Sequence, residues 1–127
     1  WDSLETVLKS YTNRGIFTTW KAGFLKDYLL GGTKKDKNGV YLSCIPKIEA
    51  ASFKNTEIVA TPKIIKGTRV PILLLIAEIG STTASLNSFK RLVNLKKIEV
   101  IERGTHFFPM EQPDKLISSI KGFKYHS

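Results

Sequence analysis

The 127-residue chain has one cysteine, Cys44, and two histidines, His106 and His126. A lone thiol forms no internal disulfide. No cysteine pair and no second histidine at helical spacing is present to build a zinc-type site, so no metal is expected near His106. Cys44 reads as a small hydrophobe within a strand, and the scarcity of thiols fits a reducing compartment. Long apolar runs are missing too. The longest, Val70 to Ala77, is well short of the roughly 20 residues that span a bilayer. There is no secretory signal, no internal repeat and no low-complexity tract. The expected setting is intracellular, cytoplasmic or peroxisomal, although the tail K-Y-H-S is not the S-K-L peroxisomal address. The first residue is Trp1, not Met, and a helical pattern is under way by Leu4. The chain therefore reads as beginning at a cut. Also missing is G-x-S-x-G, the turn that presents a serine nucleophile. Ser81, Ser85 and Ser88 do not replace it, because none lies on a Gly-flanked elbow.

Acidic residues are few, 11 against 20 Lys and Arg, for a net charge of +9. The lysines are spread from Lys9 to Lys124 instead of gathering with aromatics on one face, as a nucleic-acid surface would have them. They read as a solvated surface with weak attraction to anionic partners and no specific nucleic acid. A 42% hydrophobic fraction is enough for a packed core in one domain or part of one.

Leu4, Val7, Leu8 and Tyr11 recur at helical spacing, as do Trp20, Phe24, Leu25, Tyr28 and Leu29 within a second stretch from Phe17 to Leu30. Gly31-Gly32 stops that helix. Thr33 to Gly39 reads as a lysine-rich loop ending in the turn dipeptide Asn-Gly, and Val40 to Ile45 as a strand ended by Pro46. Ile48 to Phe53 suits a helical turn or more, and Asn55 to Lys66 a short helix or coil. After Pro71 the run I-L-L-L-I-A has no polar position, the mark of a strand buried on both faces of a parallel sheet. Ala84 to Val93 suits a crossover helix, Ile98 to Ile101 the next strand and Asp114 to Phe123 a closing helix. Together they make a right-handed βαβ unit with a terminal helix.

Between that last strand and last helix lies I-E-V-I-E-R-G-T-H-F-F-P-M-E-Q-P, Ile98 to Pro113. It places one imidazole, His106, on a loop straight after a strand. In this order, the segments resemble the C-terminal half of an α/β-hydrolase. W-x18-W-x-x-x-F-x-x-x-Y, Trp1 to Tyr28, looks like the helical cap over an active site. N-G-V-Y-L-S-C-I-P-K-I-E-A-A-S-F, Asn38 to Phe53, is similar to the sixth sheet strand and its following loop. V-P-I-L-L-L-I-A-E-I-G-S, Val70 to Ser81, looks like the seventh strand and its exit. G-T-H-F-F-P-M-E-Q-P-D, Gly104 to Asp114, looks like the loop carrying the catalytic histidine.

The resemblance implies an α/β fold, the C-terminal part of an α/β-hydrolase parallel sheet with a helical cap segment. Residues 1–37 would form the cap segment and residues 38–127 the C-terminal part of the core. It implies the chemistry of a serine hydrolase, esterase- or lipase-like, acting on a hydrophobic acyl substrate with no cofactor. In that chemistry His106 is the general base of a Ser-His-acid triad, its Nε2 taking the serine proton and its Nδ1–H held by a carboxylate. The serine would come from the N-terminal half of the same protein, so this chain would not act alone. If it lacked that half, it would dimerise, swap or stay bound to it.

One departure bears on the acid. Most α/β-hydrolases carry it in a G-x-x-D type loop after the seventh strand, where this chain has Gly80 and Ser81. Glu49, just beyond the sixth strand, is the first candidate and Glu78, at the tip of the seventh, the alternative. Glu111 corresponds to a structural glutamate. The departure leaves open a second reading, a non-catalytic relative used for binding or assembly. Trp20, Phe24, Phe107 and Phe108 are candidates for substrate binding, with plain packing the simpler reading of the cap aromatics. Phe107 and Phe108 would shield the histidine from water. His126 reads as a surface residue.

Overall fold

The computed structural model describes residues 1–54, 69–81, 86–92 and 94–124. The chain divides into two compact units, Trp1–Ile58 and Val59–Ser127.

In the first unit, α1 (Leu4–Tyr11) begins at Ser3, whose hydroxyl accepts from the Thr6 N–H at 3.2 Å and satisfies one of the amides left over at a helix start. Its stripe Leu4, Val7, Leu8 and Tyr11 faces Leu25 and Leu29 of α2 (Phe24–Gly32) and Val40. Val7 and Leu29 are fully buried in this small core, each worth about 2 kcal/mol of transfer from water. Thr33 closes α2 by donating its hydroxyl to the Leu29 carbonyl at 2.6 Å.

The segment expected to be a lysine-rich loop is partly a strand. β1 (Thr33–Asp36) pairs antiparallel with β2 (Gly39–Leu42) across the two-residue turn Lys37-Asn38. The Asp36 carboxylate accepts from the Asn38 N–H at 2.7 Å, and that bond sets the turn. Lys34 and Lys35 stay exposed, so the ladder forms without burying charge. Gly39 has φ +121°, and any side chain there would strike the carbonyl of Trp1. Trp1 exchanges two backbone bonds with Val40, at 3.0 and 2.7 Å. β2 ends at Leu42, three residues earlier than its apolar character suggests, and Cys44 is exposed instead of buried in a strand. Pro46 does not merely stop the strand. It opens α3 (Pro46–Lys54), at a position where its fixed φ and missing N–H cost a helix nothing.

In the second unit β3 (Ile72–Ala77) and β4 (Leu95–Ile101) run parallel, with Leu75 opposite Glu99 and Ala77 opposite Ile101. α4 (Leu86–Lys90) lies in the connection between them. Among the described residues β1–β2 and β3–β4 are separate two-stranded sheets, so the stretch compared with a sixth sheet strand is here one arm of a hairpin. After β4 come a single turn, α5 (Phe108–Glu111), and the closing helix α6 (Pro113–Gly122), each with a proline at its start. α6 is clamped to β4 through Glu99. That carboxylate takes Ser119 Oγ at 2.7 Å, Lys115 Nζ at 3.0 Å and Lys97 Nζ at 2.8 Å. Among the described residues no helix is long and apolar enough to cross a membrane.

Candidate functional site

β3 and β4 end side by side, and the chain from Glu102 to Phe107 leaves the end of β4 as a loop. Ile101, the last residue of β4, is fully buried and roots the loop in the unit. Arg103 takes a left-handed conformation, φ +55°. Gly104 follows, bonded back to the Ile101 carbonyl at 3.0 Å. A Cβ on Gly104 would lie 2.9 Å from both Ile101 Cγ2 and Phe108 Cβ, so glycine is required by space, not by φ.

Thr105 is the hinge on which His106 sits. Its N–H and its hydroxyl both donate to the Glu111 carboxylate, at 2.9 and 2.8 Å, and its hydroxyl accepts from the Phe107 N–H at 3.1 Å. Glu111 is buried, 9% exposed, as a carboxylate is when donors replace its water. α5 supplies Glu111 at the correct reach, its single turn starting from the Thr105 carbonyl, which accepts from the Phe108 N–H at 2.9 Å. Gln112 adds a further tie, its side chain donating to the Glu102 carbonyl at 3.0 Å. The exit of β3 holds the loop from the other side. The Ile79 N–H donates to the Gly104 carbonyl at 2.9 Å, and Glu78 Oε2 accepts from the Arg103 N–H.

The result is an exposed imidazole on a fastened loop. His106 is exposed and its ring stands edge-to-face with that of half-buried Phe107, centroids 5.2 Å apart. Phe108 turns to Gly104 and starts α5.

The overall fold of the chain is matched in a solved structure. The crystal structure of an E-2-(acetamidomethylene)succinate hydrolase, an α/β-hydrolase, superposes with a TM-score of 0.73 over 97% of this chain, at 14% identity. The fold is that of an α/β-hydrolase. The chain spans 46% of the length of that hydrolase. No protein-family model matches the chain, and no curated protein does.

On the α/β-hydrolase fold the remaining candidates are placed as follows. Glu78 belongs with His106 in the second unit, one residue past β3, its carboxylate on the loop backbone. Glu49 is exposed in the first turn of α3, in the first unit. Trp20 and Phe24 are also in the first unit, both half-buried. Trp20 packs edge-on to Phe17 at 4.9 Å and to Tyr28 at 5.5 Å, in a chain of rings that continues through Tyr11 to Trp1. Lining a separate open cleft of that unit are Tyr11, Arg14 and Phe17. His126 lies outside the described residues, as do Asn55 to Lys66. Among the described residues no group of His, Cys, Asp and Glu is arranged to hold a metal ion.

Thr105, Gln112 and the loop-holding contact of Glu78 were not legible in advance. The signal that would have pointed to Thr105 is its hydroxyl two residues before the Phe107 amide, the spacing of a Ser/Thr turn.

Proposed function

We propose that this chain is the C-terminal portion of a serine hydrolase that cleaves a carboxylic ester, thioester or related acyl bond, with His106 as general base. The observation that carries the proposal is the fastening of an exposed histidine at the mouth of a parallel strand pair, in an α/β-hydrolase fold. A general base must hold one position while the proton moves, and a loop bonded on both sides of the histidine meets that need. Residues 1–37 act as a helical cap segment and residues 38–127 as the C-terminal part of the core. The nucleophilic serine comes from a segment N-terminal to Trp1, and Glu49 is the carboxylate offered to the imidazole. Glu78, the other candidate acid, has one oxygen on the Arg103 N–H. Phe107 and Phe108, and Trp20 and Phe24, are the residues offered to a hydrophobic acyl substrate. The reading calls for no metal or cofactor.

The test is His106→Ala in the full-length protein, assayed on short acyl esters. Turnover falls by about 10⁴-fold or more, as for loss of a triad member. Turnover equal to the parent would overturn the reading. The missing acid at Gly80 and Ser81 supports a second reading, a non-catalytic relative that binds or assembles. A folded parent that does not react with a fluorophosphonate favours that reading, and labelling counts against it.

A further inference from the structure

We infer that Glu78 is a positioning residue for His106, holding the catalytic loop at Arg103 as a hydrogen-bond acceptor and not as the acid of the triad. The kinetic consequence rests on the hydrolase reading above; the structural one does not.

Glu78 and Ile79 fasten three successive points of the loop. The Glu78 N–H donates to the Ile101 carbonyl at 3.3 Å, extending the β3–β4 ladder by one bond, and the Ile79 N–H donates to the Gly104 carbonyl at 2.9 Å. Between these two, the Glu78 carboxylate accepts from the Arg103 N–H. The side-chain bond falls where the ladder cannot continue. Arg103, at φ +55°, has left extended geometry, and a residue with a side chain holds that conformation only when its surroundings fix it. A carboxylate oxygen on its N–H is such a constraint. Two residues further on, Glu111 fixes Thr105 by its N–H and hydroxyl. The histidine therefore follows two carboxylate anchors, and a slip at the first is transmitted through Gly104, which has no spare room against Ile101 and Phe108.

The donor at Arg103 is a neutral amide. A glutamine oxygen at the same reach serves it, whereas an aspartate, one methylene shorter, withdraws about 1.5 Å and falls outside hydrogen-bond range. A triad acid behaves in the opposite order, because a glutamine cannot stabilise the imidazolium or fix its tautomer.

The experiment compares Glu78→Gln, Glu78→Asp and Glu78→Ala in the full-length protein. It reads kcat and KM on a short acyl ester, hydrogen exchange at the Arg103 amide and the His106 ring resonances. Asp and Ala are expected to lower kcat by roughly tenfold to a hundredfold, with KM unchanged. In both the Arg103 amide exchanges faster and the His106 ring resonances move. Gln is expected to stay within about threefold of the parent, since it keeps the bond, and to keep the amide protected. If Ala fails to fold, the order of Gln and Asp carries the test alone. A Gln variant as damaged as Ala, or worse than Asp, would overturn the inference, as would an Arg103 amide indifferent to loss of the side chain. If the parent proves to have no hydrolase activity, the hydrolase reading falls, and exchange at Arg103 with the ring resonances still decides the positioning role.

Discussion

Glu99 and Glu111 both turn inward in the second unit, and each fastens a different kind of element. Glu99 is ringed by charge, with Lys97 and Lys115 on it and Ser119 adding one hydroxyl. Those partners pull its pKa down to about 2, Lys97 most and then Ser119 and Lys115. Thr105 offers Glu111 a backbone N–H and a hydroxyl. What each carboxylate fixes differs as well. Glu99 ties a strand to a helix, two elements already regular in themselves. Glu111 ties down a loop with no ladder of its own. Charge pairing thus ties the frame together, and the bonds from Thr105 tie down the loop that carries the residue proposed to do chemistry.

The comparison is broken most severely at Glu111. Glu111→Ala strands the Thr105 N–H and hydroxyl, with the carboxylate site itself buried. We expect a loss of about 3 kcal/mol of stability, and a loop that no longer presents His106 in one place. Urea denaturation measures the first and the spread of His106 ring resonances the second. An Ala variant within about 0.5 kcal/mol of the parent would mean that the pair contributes little.

Gly104→Ala tests the same loop by crowding instead of by removal. Its methyl meets Ile101 and Phe108 at 2.9 Å, and Ile101 is buried with no freedom to retreat. The expected cost is about 2 kcal/mol, read by chemical denaturation. A matching Ala at Gly122, where nothing lies within 4 Å, should be close to neutral. Equal losses at the two sites would show that flexibility of the chain, and not space, is what Gly104 supplies.

How much of this was legible follows the kind of signal each element carries. The run of β3 and the stripe of α1 were readable because burial is written directly into apolar residues at the matching period. β1 was not, since T-K-K-D has no apolar alternation and is held as a strand by the turn after it and by pairing with β2. α5 escaped for a related reason. Four residues with a proline second form a turn only because Thr105 and Glu111 close around it. His106 could be marked from its place after a strand, and Glu111 as a structural residue. That Glu78 reaches the Arg103 amide depends on a left-handed residue 25 positions away, which no local pattern announces.

The smallest effect sharpens the contrast through pH. Glu99 has its carboxyl lowered from 4.5 to about 2 in the folded chain. In the window between these values the unfolded chain binds the proton that the folded chain refuses, so stability rises with pH there. The contribution is complete above the unfolded value and is lost as pH falls through about 2. Lys97 and Lys115 are half exposed, at 50% and 52%, so added salt should flatten the dependence. Glu99→Gln is expected to reduce the slope of the urea midpoint across this window while leaving the midpoint near neutral pH only modestly lower. Ser119→Ala, which leaves both lysines in place, should lower the urea midpoint only slightly. The outcome that would undo the contrast is a Glu99→Gln protein with the full acid slope of the parent, for the titrating carboxylate would then have to lie elsewhere in the chain.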